Sequence, residues 1–185
     1  VSRTVIKGGL VITAADEMQA DVLVEDGRIA ALAAHGSRAA AGWEESADRT
    51  LDATGKYVIP GGVDAHTHME LPFGGTAASG TFETGTRAAA WGGTTTIVDI
   101  AVQSRGNSLR AGLDQWHAKS DAQCAVDYAF HMILSDVDEH TLKEMDLLVS
   151  EGVTSVKNHV GQGDRGWSGG RLTPADEAGS GAERG

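Results

Sequence analysis

Apolar and β-branched positions fall into short alternating runs over the first sixty residues, then into longer blocks at regular intervals. Thr4–Thr13 is a β-rich run interrupted by Gly8 and Gly9, and Asp21–Glu25 alternates with Val22 and Val24 on one side. Asp26-Gly27 supplies the positive φ that a tight hairpin needs, so Arg28–Ala33 reads as the returning strand. Residues 34–50 are Ala-rich and charged, a surface excursion. Leu51-Asp52-Ala53 then leads into the turn Thr54-Gly55-Lys56. Together these segments predict a small antiparallel β unit.

From Tyr57 the rhythm changes. Tyr57–His68 reads as a strand interrupted by Pro60-Gly61-Gly62, and a Gly-rich loop with Gly74, Gly75 and Gly80 follows. Phe82–Trp91 reads as a helix. The β-branched run within Gly93–Val102 suits a buried strand. Leu109, Leu113 and Trp116 recur at helical spacing within Ser108–Ala118. Ala125–Leu134 is another apolar strand. Asp136 and Glu139 precede Leu142, Met145, Leu148 and Val149, the pattern of a capped amphipathic helix that Gly152 is placed to end. Val153–Lys157 is a further strand. Strands alternating with helices at about thirty-residue spacing predict βαβ units and a parallel sheet. Four such strands make about half of a (β/α)₈ barrel, and 185 residues are too few for the roughly 250 of a whole one.

Charge and composition narrow the class. With 15 Lys and Arg against 26 Asp and Glu, the net charge is −11, which argues against nucleic acid or an anionic membrane as partner. No apolar run reaches the ~18 residues of a membrane span. Val1-Ser2-Arg3-Thr4 lacks the apolar core of a signal peptide. Cys124 is the only cysteine, so no internal disulfide can form and a cytoplasmic location is expected. Of 25 glycines, 8 lie in residues 161–185, where Trp167 and Leu172 are the only large apolar side chains. That tail reads as disordered.

The sharpest chemistry is Val63-Asp64-Ala65-His66-Thr67-His68. Side chains two apart on a strand share a face, so His66 and His68 can present two imidazoles to one metal ion. Asp64 could orient a ligand or support the site from behind. Two polar residues in a loop is the competing reading. Other histidines read as structural: His117 and His140 as solvated helix positions, His131 as a hydrogen-bonded residue of a buried strand, His35 as a loop residue. Cys124 reads as a small apolar core residue, and Trp91 and Trp116 as helix–sheet packing.

Ala20–Ile29 and Asp52–His68, joined by Pro72-Phe73-Gly74-Gly75, Gly92–Thr96 and Asp127–Met132, resemble the amidohydrolase superfamily. More narrowly they resemble its dihydropyrimidinase/D-hydantoinase branch, over about residues 4–157. The resemblance implies an α/β fold: a partial (β/α)₈ TIM-type barrel of about four strands, preceded by the N-terminal part of a small β-sandwich. Residues 1–56 would be the sandwich part and 57–160 the first half of the barrel. It implies two divalent metal ions, usually zinc, bridged by hydroxide and by a lysine carboxylated by CO2. By motif position His66 and His68 are the first-strand ligands and Lys157 is the bridging lysine, for which a strand-end lysine reaching solvent is the alternative. The implied reaction is hydrolysis of the cyclic C–N amide bond of a small cyclic ureide or imide, a hydantoin or dihydropyrimidine, to an N-carbamoyl amino acid. The resemblance implies a homotetramer for full-length members of the family, without extending it to this shorter chain.

Near relatives differ at readable positions. Dihydroorotases carry an arginine two residues after the second histidine, where this chain has Glu70. Allantoinases tend to Pro-Gly where this chain has Pro72-Phe73. A non-catalytic dihydropyrimidinase-related scaffold would not require His66, His68 and Lys157. After Lys157 the resemblance stops: a substrate-contacting tyrosine is replaced by Asn158-His159-Val160, and the later ligands and the general base belong to strands beyond it. His159 is a weak substitute ligand, on the same strand face as Lys157. Segment 161–185 reads as out of frame, and an isolated half barrel with open strand edges is expected to be inactive.

Overall fold

A computed structural model of the chain describes residues 1–73 and 75–158. The chain divides into two compact units, Val1–Pro60 and the residues from Gly61 onward.

The first unit is a single sheet. It contains β1 (Arg3–Ile12), β2 (Glu17–Glu25), β3 (Arg28–Ala34), a 3₁₀ turn at Glu44–Ser46, β4 (Arg49–Asp52) and β5 (Tyr57–Val58). The strand order is β3-β2-β1-β4, with β5 also on β1. Asp26 and Gly27 both have positive φ, 47° and 77°, as a two-residue hairpin between β2 and β3 requires. The Gly8-Gly9 break becomes a bulge in the β1–β2 ladder. A Cβ on Gly9 would lie 2.5 Å from Val58, so the missing side chain is what admits β5. Val11, Ala20 and Val22 form the core, with Ile6, Val24 and Val58 packed on it.

The expectation of a wholly antiparallel unit is corrected here. β4 and β5 run parallel to β1, in the register Thr4↔Arg49 and Leu10↔Tyr57. The 34–50 excursion causes this. It carries the chain back to the start of β1, where the Asp48 amide donates to the Arg3 carbonyl and the Arg3 amide to the Asp48 carboxylate.

The second unit contains β6 (Gly62–Thr67), β7 (Pro72–Phe73), β8 (Thr76–Ala77), α1 (Phe82–Trp91), β9 (Thr94–Val102), α2 (Leu109–Ser120), β10 (Asp127–Leu134), α3 (Glu139–Ser150) and β11 (Val156–Asn158). Strands β11-β10-β9-β6 form one sheet, parallel throughout, which is the expected half of a (β/α)₈ barrel. The run Tyr57–His68 is not one strand. Tyr57-Val58 belongs to the first unit's sheet and Gly62–Thr67 opens the parallel one. Pro60 lacks the N–H that a continuous ladder would use. A Cβ on Gly61 would come within 2.1 Å of Thr95, so β6 can lie against β9 only with glycine there.

Helix starts follow side-chain capping. Thr81 and Thr84 form a capping box on α1, and Ser108 caps α2. The cap of α3 is Asp138, which accepts from the Thr141 amide, rather than Asp136. Asp136 instead accepts from the Gly106 amide and so joins two loops. Gly152, at φ 85°, follows the end of α3 as expected.

Strand alternation divides the parallel sheet into two faces. Ile97, Asp99, Ala101, Phe130, Met132, Leu134 and Val156 point to the helices, where all but Asp99 join Leu109, Leu113, Trp116 and Leu148 in the core. Ile100, His131, Ile133, Ser155 and Lys157 point the other way. Trp116 packs as expected, whereas Trp91 is 92% exposed on the outer side of α1. No helix among the described residues is long and apolar enough to cross a membrane. His159 and segment 161–185, with the readings attached to them, lie outside the described residues.

Candidate metal centre

His66 and His68 stand at the C-terminal end of β6, where a parallel barrel gathers its functional groups. Their Nε2 atoms are 3.1 Å apart and their rings meet edge to face at 69°. Asp64 supports the turn of the strand by accepting from the His66 amide at 3.1 Å. His68 is held below the usual histidine range, first by desolvation and then by the neighbouring His66, partly offset by Asp99, with the Lys157 charge a smaller lowering contribution. Lys157 follows from β11, in register with Ile133. Burial lowers its amine below the ordinary lysine value. His68 and Lys157 thus both have a bias toward the neutral form that a cation requires.

Thr67 lies between the two histidines and points to the opposite, helix-covered face. There it donates to Asp99 Oδ2 at 2.8 Å, and the Met69 amide donates to the same oxygen at 2.7 Å. Asp99 Oδ1 accepts from the Trp116 indole at 3.2 Å. Asp99 is completely buried. Met69 occupies the gap left by Gly85 on α1, where a Cβ would be 2.4 Å from its sulfur. Glu70 follows in the left-handed region, at φ 52°, with its amide on the Gly80 carbonyl.

His131 is hydrogen-bonded through both ring nitrogens. Nε2 lies 2.9 Å from the Ala65 carbonyl, so it carries the proton and donates. Nδ1 then accepts from the Ser155 hydroxyl. This matches the reading of His131 as a hydrogen-bonded histidine, although the ring is half-buried. It also ties β6 to β10 and β11 on the face that holds the candidate ligands.

The remaining groups stand apart. His140 is exposed as expected, while the half-buried His117 leans on Phe130, ring centroids 5.1 Å apart. His35 is more than a loop residue: its Nδ1 pairs with the buried Asp21 carboxylate at 2.8 Å within the first unit. Cys124 packs beside the core, and burial pushes its thiol up to about 11. Among the described residues no three His, Cys, Asp or Glu side chains stand together as a metal site. Sequence reasoning missed Asp99, the one ionisable residue inside the β9 run, and Ser155, two positions before Lys157.

No family model matches the chain. It is 72% identical over 159 residues to a D-hydantoinase of Streptomyces coelicolor, covering 86% of this chain and 34% of that protein. It is 39% identical over 156 residues to a dihydropyrimidinase of Rattus norvegicus, covering 84% and 30%. Among solved structures, the dihydropyrimidinase from Brevibacillus agri superposes with a TM-score of 0.77 at 43% identity, over 84% of this chain and 32% of that one. The chain spans about a third of the length of the curated relatives it matches.

Proposed function

Because the chain belongs to the D-hydantoinase and dihydropyrimidinase family, as the counterpart of its N-terminal third, we propose that it carries the first metal-binding elements of a cyclic amidase. The reaction is hydrolysis of the ring C–N bond of a hydantoin or dihydropyrimidine, giving an N-carbamoyl amino acid. The observation that carries this reading is the pair of Nε2 atoms of His66 and His68, 3.1 Å apart on the sheet face that also bears Lys157.

The donor set fits a divalent ion. Tetrahedral zinc with Zn–N bonds of 2.0–2.1 Å sets two imidazole nitrogens about 3.3 Å apart, close to the spacing of this pair. Two ions, with zinc the favoured metal, would be held by His66, His68 and a carboxylated Lys157. Such ions supply an acidified water at neutral pH and a positive charge for the scissile carbonyl.

The chain's own groups prepare for this. Desolvation keeps His68 a neutral donor. The lowering of the Lys157 amine by burial raises the fraction of Nζ with a free lone pair, and in that form it can bond to the carbon of CO2. One C–O π pair moves onto oxygen, an Nζ proton leaves to solvent, and an anionic carbamate with two donor oxygens results. Glu70, where a dihydroorotase carries arginine, offers no cation for a substrate carboxylate, which favours uncharged cyclic ureides.

Equilibrium dialysis with Zn²⁺, beside a chromatographic assay of N-carbamoyl product from hydantoin, tests the proposal. Zinc uptake is expected for the protein as it stands, with no N-carbamoyl product above a metal-free control, since it supplies three of the implied ligands and no general base. His66→Asn and His68→Asn should weaken binding more than about a hundredfold. Zinc uptake that the double variant retains in full overturns the reading, as does no uptake at all.

A further inference from the structure

We propose that Asp99 is a positioning residue, which holds the His66–His68 pair in its metal-binding arrangement from the helix side of the sheet. The inference rests on the metal-centre reading above.

Asp99 interrupts an otherwise apolar file. Ile97 and Ala101 share its face of β9 and belong to the core, so packing alone would place another aliphatic side chain there. A carboxylate with no exposure to water is retained only where donors surround it. Its donors come from two places. Trp116 of α2 supplies an indole N–H to Oδ1. The Thr67 hydroxyl and the Met69 amide, both to Oδ2, come from the segment that carries the histidines.

The alternation of that segment gives the contacts their consequence. Drawing the Thr67 side chain toward the helices turns His66, its neighbour in β6, to the opposite face, and the Met69 amide fixes the backbone that follows His68. From that face the His131 Nε2–H holds the Ala65 carbonyl. Residues 65–69 are therefore gripped from both sides of the sheet. The Asp99 grip reaches the residue on either side of His68. Because β6 ends at Thr67, the His68-Met69 peptide lacks a strand ladder to keep it in place. Buried groups that orient metal ligands typically govern affinity without touching the ion.

Asn at 99 separates this role from simple packing. Its single oxygen can accept from Thr67 and Met69 only by turning the amide NH₂ toward the Trp116 N–H, donor against donor. Trp116→Phe removes that conflict. The test measures Zn²⁺ affinity of the intact chain by calorimetry and amide exchange at Met69 in the metal-free protein. Thermal unfolding of each variant checks that it folds.

Asp99→Asn and Thr67→Val should each weaken zinc binding about 10–100-fold. Asp99→Asn should also speed Met69 exchange, and the double variant Asp99→Asn/Trp116→Phe should recover much of both. Folded Asp99→Asn that binds zinc like the wild type overturns the inference, even with His66→Asn abolishing binding. So does a folded double variant no better than Asp99→Asn. A wild-type chain that binds no zinc removes the metal-centre reading and this inference with it, whereas the preceding outcomes leave that reading standing.

Discussion

His68 couples burial to charge more directly than any other side chain of the site. Desolvation and then the adjacent His66 ring oppose its protonation in the folded chain; the buried Asp99 carboxylate partly offsets them, and the Lys157 charge adds to them. Its folded pKa therefore lies below the unfolded value near 6.5. Above 6.5 both states hold a neutral ring and nothing is lost. As pH falls through 6.5 toward the folded pKa, the unfolded chain gains a proton that the folded one resists, and stability drops. His68→Asn should lose less unfolding free energy than the wild type between pH 7.5 and pH 5, measured by urea titration at each pH. Equal slopes would remove the assigned bias. The juxtaposition of His66 and His68 was legible because side chains two apart on a strand share a face, a local pattern. Asp99 was not, because its donors are 32, 30 and 17 residues away and no local rule joins them.

Gly85 shows how an element fixes a neighbouring loop. Glycine inside a helix costs about 1 kcal/mol relative to alanine, yet α1 keeps one where the Met69 sulfur and methyl fill the space of a Cβ. Gly85→Ala should gain helix propensity and lose it again to crowding, leaving stability nearly unchanged. In a Met69→Ala background the crowding is gone, and the same substitution should stabilise by about 1 kcal/mol. Urea unfolding of the four proteins measures the coupling. A net gain equal in both backgrounds would mean that Met69 yields freely and does not anchor the segment after His68. Helices α2 and α3 were legible from their apolar period, though the cap of α3 was not, and the β2–β3 hairpin from Asp26-Gly27, since each signal lies within a few residues. The parallel pairing of β4 with β1 spans more than forty residues and depends on the path of the 34–50 excursion. The division of Tyr57–Thr67 between two sheets likewise depends on partners distant in sequence.

At the scale of the molecule, the proposed ligands are spread over strands that are not neighbours. His66 lies in β6 and His68 just past its end, Lys157 lies in β11, and β9 and β10 stand between them. An ion held by both would close a contact that the sheet ladder does not make, and would exist only while all four strands are in register. Binding to the folded state alone stabilises by mass action, by about 2.7 kcal/mol at a hundredfold excess over the dissociation constant. Zn²⁺ at that excess should therefore raise the unfolding free energy of the second unit by about this amount, and EDTA should return it to the metal-free value. Amide exchange of core strands β9 and β10 reports the change in the unit concerned. The His66→Asn/His68→Asn variant should show no such shift. A shift of the same size in that variant would place the ion elsewhere, because a site lacking both imidazoles keeps only one of the three donors the sheet provides.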